Sequence, residues 1–183
     1  MNGDGTINQD DYLPIGNGIP TTTWGFINDV SYGNFTLNFM FAGQNVSQIF
    51  SQTLAYTWGQ APGTRNATLQ EATQMWTPQN ETNIPAFSTT GLWPSNSSRF
   101  VYSANFMKLK NLSLTYSIPQ SVLGKAKIRS VDIYVSGQNL FTVTSYPGYD
   151  PELTNAQNAM TQGVEMGVIP NPRSYTLGFR VGF

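Results

Sequence analysis

The sequence predicts an all-β fold of five antiparallel strands built to cross a membrane, and three observations predict it. Apolar and polar residues alternate with period two along five separate segments, so each strand is apolar on one side only. The opposite sides carry Gly, Ser, Thr and Asn instead of the Lys and Glu that coat a soluble sheet, and charged residues make up only 10% of the chain. Several segments are about 10 residues long, which suits a tilted strand crossing a bilayer and exceeds the ~5–6 residues usual in a sandwich. A soluble β-sandwich is the competing reading, and the second and third observations count against it.

The strands follow in order. The first sets Trp24, Phe26, Val30 and Tyr32 on one face, interrupted by Asn28. In the second, Phe35, Leu37, Phe39 and Phe41 alternate with Thr36, Asn38, Met40 and Ala42. The third opposes Leu112, Leu114, Tyr116 and Ile118 to Asn111, Ser113, Thr115 and Ser117. The fourth carries Val131, Ile133 and Val135 against Asp132, Tyr134 and Ser136. The last is the clearest: from Arg173 to Phe183, Tyr175, Leu177, Phe179, Val181 and Phe183 share one face, with Ser174, Thr176, Gly178, Arg180 and Gly182 on the other.

The connections alternate in length. Residues 1–22 form a leading loop, 23–43 a hairpin turning at Gly33-Asn34, 44–99 a long loop, 100–139 a strand pair turning after Pro119, 140–172 a second long loop, and 173–183 the terminal strand. Outer-membrane barrels pair short periplasmic turns with long extracellular loops, so the long loops are expected outside the cell. Five such strands cannot close, since single-chain bacterial barrels begin at about eight, and open apolar edges aggregate. The chain is expected to be the C-terminal part of a larger barrel, an expectation that also accounts for the lack of a secretory signal in Met1–Thr6.

Composition excludes several functions. There is no Cys and no His, which removes disulfides, thiol nucleophiles, Cys or His zinc sites and a Ser-His-Asp triad. Nine Lys and Arg spread along the chain do not make a nucleic-acid surface. No catalytic constellation emerges, and no enzyme activity is expected.

Four groups of residues are candidates for function. Asn2, Asp4, Thr6 and Asp11 follow the spacing of an EF-hand-type calcium loop, with Gly5 as the turn glycine. Its first ligand position is missing and its last is Asp in place of Glu, so an ion-free Gly-Asp turn stands beside the calcium reading. Trp58, Trp76 and Trp93 lie in the long loop with Tyr56 and Phe87, where their rings would meet a substrate or a lid protein; a self-packed loop is the competing reading. Thr68 to Trp76 has a short helical pattern that would pack this loop. Lys108, Lys110, Lys125, Lys127 and Arg129 fall near strand ends and are expected as rim charges, because a mid-bilayer Lys or Arg costs ~2–4 kcal/mol. Arg180 is the exception, and its parity turns it away from lipid. Tyr175, Phe179 and Phe183 give the terminal strand the aromatic ending that barrel-insertion machinery reads in outer-membrane proteins.

Four segments together carry a resemblance. They are NGDGTINQDD at 2–11, FMKLKNLSLTYSIP at 106–119, IYVSGQNLFTVTSYPGYDPE at 133–152, and PRSYTLGFRVGF at 172–183. In order and separation they resemble the C-terminal end of SusC/RagA-type TonB-dependent outer-membrane transporters. The resemblance implies a barrel of about 22 strands around a plug, outer-membrane location, and import of oligosaccharide or peptide. It implies a SusD-like surface lipoprotein as lid, and the TonB complex acting through a plug that lies upstream. Membrane lipid and the barrel-assembly machinery complete the expected partners. Many members carry Arg near Lys108, where this sequence departs. Two other functional readings stand beside it: a secreted, soluble glycan-binding β-domain with a calcium loop, and a siderophore-type TonB-dependent receptor.

Overall fold

The computed structural model describes residues 3–5, 9–45, 47–58, 69–86, 97–124, 128–152 and 162–183. In chain order its strands are β1 (Thr22–Tyr32), β2 (Phe35–Asn45), β3 (Gln48–Ser51), β4 (Val101–Ser103), β5 (Phe106–Ser117), β6 (Ser130–Thr144), β7 (Val164–Glu165) and β8 (Ser174–Gly182). Three short helices, α1 (Gln52–Trp58), α2 (Leu69–Gln74) and α3 (Gln120–Leu123), lie between them.

The long strands form one five-stranded sheet in the order β1-β2-β5-β6-β8, antiparallel throughout. This is the up-and-down sheet that the period-two pattern predicts. One end of it carries tight connections: Gly33 turns β1 into β2 with φ +59°, and Pro119 leads through α3 towards β6. The other end carries a second, three-stranded sheet in the order β4-β3-β7, with β3 parallel to β7. Here the residues before β1 join in, because Gln48 N–H donates to the Asn17 carbonyl at 2.9 Å and Phe50 N–H to the Gly163 carbonyl at 2.7 Å. Gly163, at φ +82°, lies against Gly18 so closely that neither position has room for a Cβ.

The buried cluster sits at this loop end and not in the sheet. Ile49, Ala104 and Tyr146 form it, with Tyr102 packed against them. Tyr102 and Tyr146 meet edge to face at 6.0 Å.

Register joins the strand patterns into rows. Tyr32, Phe35, Tyr116, Ile133 and Phe179 lie side by side, and the next row is Val30, Leu37, Leu114, Val135 and Leu177. A third runs Asn28, Phe39, Leu112, Gly137 and Tyr175. The rows continue past an irregularity. Met40 lies opposite Asn111 but Phe41 opposite Leu109, so Lys110 is an extra residue in β5. Facing it, β6 uses Asn139, in the left-handed region at φ +53°, and Leu140. The bulge keeps Phe41, Leu109 and Phe141 together on the apolar face, with the Phe41 and Phe141 rings 6.0 Å apart. It also lets β6 continue to Thr144, beyond residue 139 where the sequence pattern stops.

Candidate functional site

The sheet has two functional faces. On the apolar one, large side chains stay exposed in ordered rows: Phe26 is 51% accessible, Val135 49%, Leu177 78% and Phe179 75%. A soluble monomer rarely leaves so broad an apolar surface uncovered. Here β1, β2 and β5 are 11, 11 and 12 residues long, enough to cross a tilted ~30 Å hydrocarbon layer. Trp24 covers Gly43, its neighbour across the strands, so that a Cβ at Gly43 would stand 2.5 Å from the indole ring. Among the described residues no helix is long and apolar enough to span a membrane.

The opposite face is polar and forms a concave hollow of about 670 Å³, lined in part by Asp29, Asn38, Asn111, Asp132, Tyr134 and Arg180. Side chains bridge the strands here. The Asn38 amide donates to Asp29, Ser31 and Thr36 hydroxyls meet at 3.1 Å, and Ser117 donates to Asp132 at 2.7 Å. Arg180 lies directly across from Asp132 in the β6–β8 register. Arg180 lines the polar hollow, as its parity requires.

At the loop end a charged cluster ties β5 to the segment after β6. Lys108 Nζ donates to both oxygens of Asp150 at 2.9 Å and to Glu152 at 2.8 Å, and Lys110 also bonds Glu152. The Lys108 and Asp150 side chains are only 2% and 7% accessible. Burial pushes the Glu152 carboxyl up, but hydrogen bonds and charge from Lys108 and Lys110 outweigh it and hold it below its usual range. The rim-charge expectation for Lys108 is therefore corrected. It stands at the loop end of its strand, but the Lys110 bulge turns it to the polar face opposite Ala42 and Thr142, where the carboxylates bury it.

A second buried carboxylate, Glu165, is held by hydroxyls. Ser51 donates at 2.8 Å, Thr53 at 2.7 Å and Tyr146 at 3.2 Å. Burial, with lesser help from Glu165, pushes the Tyr146 hydroxyl up to about 12 and keeps it a donor. No sequence pattern pointed to this cluster, because its members come from three separate stretches of chain.

The residues singled out from sequence are not gathered into one site. Trp58 ends α1, and its side chain lies outside the described residues. Trp76 follows α2, is 43% exposed, and donates its backbone N–H to the Ile84 carbonyl at 2.7 Å. Trp93, Asn2, Thr6, Lys125 and Lys127 lie outside the described residues. The helical pattern at 68–76 appears as α2, although Leu69 is 80% exposed and does not pack the loop. Asp4 and Asp11 are described, and no group of three metal-ligating side chains occurs among the described residues. Tyr175 and Phe179 stand on the apolar face of β8, and Phe183, 83% exposed, follows it.

Comparison with known proteins decides what this wall is part of. Along its whole length the chain is 37% identical to TonB-dependent receptor P3 and 32% identical to TonB-dependent receptor P26, both of Formosa agariphila. It superposes on the RagAB peptide transporter with a TM-score of 0.80 over 97% of its length, at 27% identity. The open-open state of the RagAB peptide importer gives 0.71 over 90%, also at 27%. The chain is thus similar along its whole length to SusC/RagA-type TonB-dependent receptors. It spans 18% and 19% of the two curated relatives and 19% and 17% of the two solved chains. No family model matches it. This kinship, with the apolar belt, places the segment in the outer membrane as barrel wall, and the soluble glycan-binding domain and the siderophore-type receptor are not favoured.

Proposed function

We propose that the chain forms the C-terminal wall of an outer-membrane, TonB-dependent nutrient importer that takes up peptide or oligosaccharide with a SusD-like surface lipoprotein. The observation that carries this reading is the register itself. Five crossing-length strands align one apolar face for lipid and one polar face for a wet interior, in a chain that matches TonB-dependent receptors from end to end. The solved relatives are described as importing peptide, which puts peptide ahead of oligosaccharide. The segment's role is to enclose and to bind, with no bond made or broken in the cargo. Energy from TonB enters through parts of the receptor outside the matched fifth, and the aromatic terminal strand is the part that barrel-assembly machinery engages.

The test is made on the full-length gene product. It is expected in the outer-membrane fraction, and labelled peptide is expected to accumulate in cells carrying it only while the proton gradient is intact. Recovery of the full-length protein in the soluble fraction, or uptake indifferent to a protonophore, overturns the reading.

A further inference from the structure

Two hollows at the loop end share a wall and draw on none of the charged clusters. The first, about 350 Å³, is lined by Asn17, Gln48, Tyr102, Ser103 and Asn105 among others. The second, about 320 Å³, is walled by Leu13, Pro14, Ile15 and Phe50 among others. Asn17, Gln48 and Val101 line both, and among the described residues no Asp, Glu, Lys or Arg lines either. Each is within the size range of small-ligand sites.

The first hollow has a fixed polarity. Ile19 N–H donates to Asn17 Oδ1 at 3.0 Å, Asn17 N–H to Gln48 Oε1 at 3.1 Å, and Ser47 N–H to Asn105 Oδ1 at 3.3 Å. A backbone N–H can only donate, so the atom facing it is in each case the amide oxygen. The three NH₂ groups are thereby turned to other uses, and among the described residues none of them has an acceptor. Gly16 helps to hold this arrangement, because a Cβ there would collide with the Gln48 side chain. The hollow is thus lined by three neutral amides whose oxygens are committed to backbone N–H groups before a ligand arrives. Its neighbour offers apolar walls.

We propose that the two hollows form one subsite for an uncharged stretch of peptide. Backbone carbonyls accept from the NH₂ groups of Asn17, Gln48 and Asn105, and an apolar side chain enters the space beside Ile15 and Phe50. A saccharide suits the pair poorly. It has no apolar branch for the second hollow, and the Tyr102 ring already packs against Tyr146 with centroids 6.0 Å apart. The subsite rests on the importer reading only for what becomes of the peptide after it binds.

The experiment is calorimetric titration of the full-length receptor in detergent with three neutral probes: acetyl-Ala-Leu-Ala-amide, acetyl-Ala-Ala-Ala-amide and maltotriose. The leucine peptide is expected to bind most tightly. Gln48→Glu and Asn105→Asp keep the oxygen that serves the backbone and replace the free donor with an acceptor, and each is expected to weaken peptide binding about tenfold. Ile15→Asp is expected to remove the preference for leucine over alanine while leaving alanine-peptide binding within about threefold. Wild-type affinity in all three variants, or maltotriose binding more tightly than either peptide, overturns the subsite. Uptake by energised cells separates the two readings. Peptide that binds but does not accumulate leaves the subsite and sinks the importer, and accumulation unchanged in the variants does the reverse.

Discussion

Lys108 and Asp150 are joined through two hydrogen bonds of 2.9 Å, although 42 residues of chain separate them. Lys108 comes from the loop end of β5 and Asp150 from the segment after β6, so the pair fastens a loop to the wall. Both side chains are buried, and a buried ion pair is most sensitive to loss of one partner, since the other charge is then stranded.

Lys108→Met is therefore expected to cost ~3–5 kcal/mol, with the loss centred on residues 145–152. Limited proteolysis of the full-length receptor should show new cleavage there before the strands are affected. Lys108→Arg keeps the charge and is expected to cost less. Equal protease resistance in wild type and Lys108→Met would show that the pair does not hold the loop.

The Glu152 link gives this attachment a pH dependence. Its carboxyl lies below the ordinary value of 4.5 in the folded protein, so it binds its proton less readily there than in the unfolded chain. Its contribution is fully present above about pH 4.5 and is lost as pH falls through the depressed value. Hydrogen exchange at residues 145–152 is expected to accelerate below that point in wild type. In Glu152→Gln the same dependence should be weaker, and an identical acid response in both proteins would remove Glu152 as its source.

The strands and their two faces were legible because lipid imposes period two over a whole crossing, as in the run from Tyr175 to Phe183. The charged cluster was less legible. Counting back from Leu112 by twos places Lys110 and Lys108 on the lipid side, where a Lys is expensive. That conflict was itself a signal of a bulge, and β5 resolves it by making Lys110 the extra residue. The amide subsite left no signal at all. Asn17 makes only a local bond to Ile19 N–H, while Gln48 and Asn105 sit in unpatterned stretches and only folding brings their oxygens to the Asn17 and Ser47 N–H groups.

Face assignment in the membrane-crossing region is tested by neighbouring residues. Leu114 lies between Leu37 and Val135 on the apolar face, while Ser113 lies between Asn38 and Ser136 on the polar one. Leu114→Arg is expected to cost ~2–4 kcal/mol in folding into lipid vesicles. Ser113→Arg should cost much less, because its guanidinium enters the water-filled side. If both substitutions cost the same, the sheet does not separate lipid from water.

The bulge itself makes the sharpest prediction. In a regular strand, deleting one residue sends every side chain beyond it to the other face. Deleting Ser113 should do this to the loop-end half of β5, putting Leu109 and Leu112 in the polar interior and Lys108 towards lipid. Deleting Lys110 should not. Leu109 already stands on the face opposite to Asn111, as it would if the two were adjacent, because Phe41 and Met40, their partners in β2, are adjacent. Removal of Lys110 thus restores simple alternation, keeps Lys108 facing Asp150, and forfeits one of the two cations that hold Glu152. Outer-membrane levels of the full-length receptor are expected near wild type for the Lys110 deletion and to collapse for the Ser113 deletion. Loss of assembly in both would mean that Lys110 is a regular member of β5, and that the burial of Lys108 needs another cause.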